Sequence, residues 1–295
     1  MEQKAVLKDL GDGLVMRRST RADADRLAAF NARIHGEDPQ DAQAVGVWTR
    51  DLLSGAHPTF GVDDFTIVED RNSGEIVSSM NLISQTWAYE GIPFGVGRPE
   101  LVGTDPNYRA RGLVRAQFEV AHEWSRQRGE QMQVITGIPY FYRQFGYEMG
   151  LELGGGRSGG EAHLPKLAED QQEPYAIRPA EEADLPFVLR LYQRSCRRSM
   201  ISAVWDEALL RHEIFEKSQE NVNRQEVCVI ETADGQPVGY LAHPGGAWSG
   251  GTMMALTAYE LDAGVSCLAV NPTIIRYLWR IGQVFARARE RTLNS

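Results

Sequence analysis

Apolar residues recur along this chain at two periods. At Leu113, Ala116, Val120, Ala121 and Trp124 they follow helical spacing, and Gly129 stands where a helix-ending glycine belongs. Ahead of that stripe, Glu100-Leu101-Val102-Gly103-Thr104 reads as a short strand that Asp105-Pro106 ends. Two β-rich runs, 65–77 and 227–239, enclose the turn sequences Asn72-Ser73-Gly74 and Ala233-Asp234-Gly235, so each predicts a hairpin. Residues 15–27 and 176–185 both read as strand, capping residue, acidic first turn and helix, with the acidic residues where the helix dipole favours them. A last helix is predicted over 274–289.

These elements repeat in order. Arg17 pairs with Arg178, Val68 with Ile230 and Pro106 with Pro272 at nearly one spacing, which predicts a duplicated domain. In the third pair a strand over 102–106 answers one over 268–272, each followed by a helix. Between the copies, Gly154-Gly155-Gly156-Arg157-Ser158-Gly159-Gly160 and a polar stretch to Pro174 read as a linker. The expected division is therefore a first domain at 1–153, a linker at 154–174 and a second domain at 175–295. The first copy continues with a strand over 131–136 and a further helix–strand segment. The second ends soon after its helix and is expected to be incomplete. The fold class is α/β in the α+β sense.

Composition narrows the function. The 295 residues are 42% hydrophobic and 24% charged with a formal net charge of −9, which argues against general nucleic-acid binding and suits a cationic substrate. The N-terminal stretch lacks the apolar centre of a signal peptide, and no run of about 18 apolar residues predicts a membrane span. Three widely spaced cysteines suit reduced thiols, and the expected compartment is cytoplasmic. The six histidines offer no i, i+4 pair, so no metal site is expected. Gly156-Arg157-Ser158-Gly159-Gly160 matches a nucleophile-elbow pattern but lacks the strand before it and the helix after it.

One stretch stands against the acidic balance. Arg109, Arg111 and Arg115 gather at the start of the helix that begins near Leu113, where the dipole disfavours cations. A strand, a glycine-containing loop and a helix N-terminus form a natural anion cradle, so these arginines either face an anion or are simply solvated.

Thr104 to Val114 resembles the acyl-CoA-binding motif of the GNAT superfamily of N-acetyltransferases, Q/R-x-x-G-x-G/A, through Arg109 and Gly112; Val114 departs from the expected glycine or alanine. With the duplication, the chain resembles the tandem-GNAT, enhanced-intracellular-survival type. That resemblance implies two GNAT folds, each a mixed, mostly antiparallel central sheet flanked by helices, with the second copy degenerate. It implies acetyl-CoA as cosubstrate. Backbone groups of Val102, Gly103 and Thr104 would hold its pantetheine, and the segment Arg109, Ala110, Arg111, Gly112, Leu113, Val114 and Arg115 its pyrophosphate. A primary amine of a small molecule would attack the thioester directly in a ternary complex. Residues 139–148 resemble the family's Y-x-x-F-G-Y element, which makes Tyr142 the general acid and leaves Phe141, Phe145 and Tyr147 to packing. Glu100 is the candidate base, since Arg98 stands where the family's usual glutamate falls. His35, Glu37 and Asp38 are candidates for binding the amine. The second copy carries 272–278 in place of the arginine–glycine loop and is expected to bind no pyrophosphate, serving to wall the acceptor site or to support a homo-oligomer. The alternatives are a non-catalytic acyl-CoA sensor and a peptide or protein N-acetyltransferase; neither a nucleic acid nor a membrane is an expected partner.

Overall fold

The computed structural model describes residues 6–138, 140–151 and 156–295. The elements along the chain are β1 (Val6–Gly11), β2 (Leu14–Arg18), α1 (Ala24–His35), α2 (Pro39–Leu53), β3 (Phe65–Asp70), β4 (Glu75–Tyr89), β5 (Ile92–Thr104), α3 (Leu113–Gln127), β6 (Met132–Gln133), β7 (Tyr175–Pro179), α4 (Leu185–Cys196), β8 (Ile201–Ala203), α5 (Glu207–Arg211), β9 (Gln225–Thr232), β10 (Pro237–Pro244), β11 (Ala258–Leu261) and α6 (Cys267–Ala288). They form two compact units. The first holds residues up to Leu151 with Ser199–Val204 and Lys217–Val222; the second holds the remainder.

In the first unit the strand order is β1-β2-β3-β4-β5-β6, antiparallel except between β5 and β6, with β8 paired to β4. α1 and α2 cover one face, where Leu27, Phe30, Leu52, Phe65, Ile67 and Leu101 share a core. α3 covers the other, where Phe118 and Ala121 pack on Met80. Residues 199–204 and 217–222 belong here although the sequence placed them in the second domain. Trp87 to Tyr89 pair with β8, and Asp51 accepts hydrogen bonds from the Ser218 hydroxyl at 2.7 Å and the Asn221 amide at 2.6 Å.

In the second unit the order is β11-β10-β9-β7, all antiparallel. α4 packs Leu185, Val188 and Leu191 against Val229 and Tyr240, and α6 packs Val270 and Ile274 against Cys228 and Ile230.

The same polar knot joins strand to helix in each unit. Arg17 donates to both Asp23 oxygens at 2.7 and 2.8 Å, to Glu69 at 2.8 Å and to the Arg18 carbonyl at 3.0 Å, while Asp23 also accepts from the Thr20 N–H. Arg178 donates to both Asp184 oxygens at 2.6 and 3.0 Å, to Glu231 at 2.8 Å and to the Pro179 carbonyl at 3.1 Å, while Asp184 accepts from the Glu181 N–H. These are the two strand–cap–helix segments that the sequence pairs.

Two expectations are corrected. Strand pairing after α3 is confined to Met132–Gln133 rather than 131–136, because the chain leaves β5 after the Val134 N–H bonds the Gly97 carbonyl; the described residues from there to Leu151 hold a short 3-10 turn, Tyr142–Phe145, and no strand. Residues 268–272 are not a strand but lie inside α6, which accommodates Pro272, and the last strand is β11. The loop between strand and helix in the second unit is thus 262–266, not 272–278, and it does contain a glycine, Gly264, at φ +82°.

Candidate active site

The site begins with a strand that loses its neighbour. Among the described residues β5 pairs with β6 only at Val96 and Gly97, and no strand pairs with the edge from Arg98 to Thr104 on that side. The ladder to β4 is also broken there. Ser79 faces Gly103 and Asn81 faces Glu100, so Leu101 and Val102 together oppose Met80 alone. Leu101 takes φ +51°, a left-handed conformation that costs a leucine energy and that the surroundings must enforce.

Where β5 ends, Asp105 fixes the loop. Its N–H bonds the Val77 carbonyl, its carboxylate accepts from the Asn107 N–H at 2.9 Å, and Arg33 of α1 pairs with it at 2.6 Å. Those interactions, the Asn107 amide first, hold its carboxyl below the usual range. Tyr108 donates to Asp70 at 2.7 Å. Ala110 at φ +60° and Gly112 at φ +73° then turn the backbone into α3, and a Cβ on Gly112 would meet nothing within 4 Å. Such turns direct successive N–H groups outward at a helix N-terminus, in the arrangement that binds anions. Arg109, Arg111 and Arg115 are exposed and, among the described residues, pair with no carboxylate. Arg111 lies over the Tyr108 ring at 5.0 Å and Arg115 over the Phe145 ring at 5.3 Å.

Tyr142 opens a short 3-10 turn through Phe145. Its half-buried ring stands edge-on to Phe118 at 6.0 Å and rests against Gly137, where a Cβ would lie 2.8 Å from it. Burial, then the charge of nearby Glu100, pushes its pKa up, so the phenol keeps its proton at neutral pH. Glu100 is bound by Arg98 at 2.7 Å on the same strand face. The charge of Glu100 thus reaches Tyr142, and Glu100 lies on the strand with the open edge. Phe145 and Tyr147 pack on Phe118 as expected of structural aromatics, at 4.4 and 5.5 Å.

The three α1–α2 candidates separate. Asp38 caps α2, accepting from the Gln40 and Asp41 N–H groups at 2.8 and 2.9 Å. Glu37 is exposed. His35 ends α1 and tucks beneath β5, with Nε2 3.0 Å from where a Gly103 side chain would begin. Burial pulls its pKa down, opposed by the Leu101 backbone, and Nε2 is buried without a hydrogen-bond partner. Asn31, Ser79 and Asn81, all buried, escaped the sequence reading. The available signal was three small polar residues, Ser78, Ser79 and Asn81, set between the apolar pairs Ile76-Val77 and Leu82-Ile83 of β4.

Residues 16–150 match the family model for the acetyltransferase (GNAT) domain. No curated protein matches the chain in sequence. Solved structures share the fold at low identity. A GCN5-related N-acetyltransferase from Kribbella flavida superposes with a TM-score of 0.59 at 21% identity, covering 93% of this chain and 62% of that one. A protein of unknown function from Enterococcus faecalis, described as a probable N-acyltransferase, gives 0.59 at 13% identity over 92% and 62%. N-myristoyltransferase from Saccharomyces cerevisiae with bound myristoyl-CoA gives 0.60 at 13% identity over 99% and 73%. The chain thus spans less than two thirds of the length of the first two. The match to the acetyltransferase (GNAT) domain model and the strand–cradle–helix geometry fall on the same stretch, residues 16–150.

Proposed function

We propose that the chain transfers the acetyl group of acetyl-CoA to a primary amine of a small molecule, by direct attack within a ternary complex. The observation that carries this reading is the open β5 edge, which runs from Glu100 and Tyr142 at one end into the Gly112 cradle at the other. Backbone groups of Val102, Gly103 and Thr104 on that edge suit the pantetheine arm. The N–H groups of Arg109 to Val114, with the exposed guanidinium groups of Arg109, Arg111 and Arg115, suit the phosphates. The amine must reach the thioester uncharged; in this reading Glu100, held by Arg98, takes its proton, and Tyr142 protonates the departing thiolate.

The second unit is, in this reading, a second GNAT-like fold without that chemistry. The matching knots at Arg17 and Arg178 support a duplication, and four antiparallel strands with a helix after the last recur in both units. Its loop has a glycine but no arginine. Cytoplasmic action fits three cysteines that form no disulfide and the absence, among the described residues, of a helix long and apolar enough to cross a membrane.

The test is CoA release from acetyl-CoA across a panel of small amines and peptides, with Tyr142→Phe alongside. Amine-dependent release that the variant slows about a hundredfold supports the reading. Binding of acetyl-CoA without release on any amine, and no effect of the variant, would leave a sensor instead. Release on peptides alone would move the acceptor class.

A further inference from the structure

β2 and β7 are corresponding strands of the two units, each carrying the arginine of its polar knot, Arg17 or Arg178. Their outer edges differ. In the first unit β1 pairs along β2, with Lys8 opposite Met16. Leu7 and Leu10 of β1 pack in one cluster with Met16 and with Leu113 and Ala116 of α3, and Lys8 reaches Glu119 of that helix at 3.1 Å. In the second unit β7 ends the sheet, and among the described residues no strand pairs with its outer edge.

The register says which backbone groups that edge presents. The Ala180 N–H bonds the Val227 carbonyl, so by antiparallel alternation Arg178 and Ala176 also bond β9, and the N–H and C=O groups of Tyr175 and Ile177 face outward. In β2 the Ser19 N–H bonds the Phe65 carbonyl in the same way, and the outward residue before the knot arginine, Met16, is the one that meets Lys8. Ile177 holds that position in β7. Beside it lies a cleft of about 690 Å³ between β7, the β9–β10 turn and α6, with Tyr175, Ile177 and Tyr277 among its lining. Its charges are mostly spent: Arg276 bonds both oxygens of Glu173 at 2.6 Å, and Arg178 bonds Glu231 at 2.8 Å. Arg280, exposed and one turn beyond Arg276, lies over the Tyr277 ring at 5.8 Å and pairs with no carboxylate among the described residues. Where α3 offers a glutamate to the lysine of β1, this flank of α6 offers a cation.

We propose that the outer edge of β7 takes up an extended acidic segment of a partner protein, which adds as an antiparallel strand where the first unit has β1, with apolar side chains in the cleft and a carboxylate on Arg280. In strand addition the main-chain bonds supply the affinity and the pockets beside the edge select the side chains. β7 is short and Pro179 has no N–H to offer, so the pairing is confined to Tyr175–Ile177 and the binding is weak and reversible. Such binding needs no acyl donor and stands whether or not the chain turns over acetyl-CoA.

The probe is a synthetic peptide with the β1 sequence, Val6 to Gly11, in which glutamate replaces the lysine; the unaltered sequence is its control. At about 1 mM, a concentration suited to a few main-chain hydrogen bonds, it is added to the isotope-labelled full chain. The Tyr175 and Ile177 amide resonances are expected to shift and their hydrogen exchange to slow. Ala176 and Arg178, whose N–H groups β9 already holds, should change less. The lysine peptide is expected to bind about two- to fivefold more weakly, the worth of an exposed ion pair, and Arg280→Glu to reverse that order. Methylating the peptide nitrogen opposite Ile177 is expected to abolish binding, because that N–H is a ladder donor. The proposal falls if neither amide responds, if the two peptides bind alike, if Arg280→Glu leaves their order unchanged, or if the methylated peptide binds as well. It falls too if the chain forms a concentration-dependent dimer in sedimentation that the peptide dissociates, since the occupant is then a second copy.

Discussion

The two strand-to-helix junctions, 105–112 after β5 and 262–266 after β11, begin alike and end differently. Each opens with an aspartate held by an arginine from the helix packed on the sheet: Arg33 on Asp105 at 2.6 Å, Arg190 on Asp262 at 2.7 Å. Each contains a glycine with positive φ. What separates them is charge and length. The first junction carries three arginines at or just beyond its turn; the second is three residues shorter and has none, and Arg190 holds the Asp262 carboxyl down at about 2. The glycine is therefore a requirement of the turn, shared by both units, while the arginines are a part that the turn itself does not require.

The largest contrast to break is the buried knot. Arg17 and Asp23 keep 3% and 2% of their side-chain exposure, whereas Arg178 and Asp184 keep 33% and 11%. Asp23→Ala leaves a buried guanidinium without its bidentate partner and should cost about 3–5 kcal/mol. Asp184→Ala should cost about 1–3 kcal/mol, since water screens Arg178. Hydrogen exchange of the β2 and β7 amides reads each unit separately; equal losses would mean that the two knots are equivalent in energy as well as in geometry.

Next in size is the glycine pair. At Gly112 and Gly264 an added Cβ meets nothing within 4 Å, so alanine at either is opposed only by the left-handed backbone, about 1–2 kcal/mol. Gly112→Ala should also raise KM for acetyl-CoA several-fold, and Gly264→Ala should leave it unchanged. A rise in both would show that the shorter junction also serves the cosubstrate.

These comparisons mark how far the sequence was legible. Strand–cap–helix segments were readable because their acidic cap residues and turn glycines are local signals, and α3 followed from one apolar stripe and a glycine. Pro272 misled the reading because proline usually closes a helix, while here it lies within the first turns of α6. The strand expected over 131–136 failed for a tertiary reason: the chain diverges from β5, and no local pattern reports divergence. Arg98 beside Glu100 was open to inference from strand alternation. The bulge at Leu101 was not, since only strand pairing defines it.

The smallest effect concerns two histidines. Burial lowers the pKa of both His35 and His243. For each, stability is then fully present above the ordinary value near 6.5 and is lost as pH falls through the lower folded value. Their surroundings differ. His243 donates from Nδ1 to the Pro244 carbonyl at 2.8 Å, and its Nε2 lies 3.2 Å from the Tyr277 hydroxyl, whereas the buried Nε2 of His35 has no partner. His243→Gln should therefore cost about 1–2 kcal/mol already at pH 7.5, through the partners it leaves unsatisfied. His35→Gln should cost little at pH 7.5 and should lessen the loss of stability between pH 7 and 5, because the group that resists protonation is gone. Urea unfolding at the two pH values distinguishes them. A steep acid loss that persists in His35→Gln would place the first unit's acid sensitivity elsewhere, in carboxylates such as Asp23 that Arg17 holds ionised.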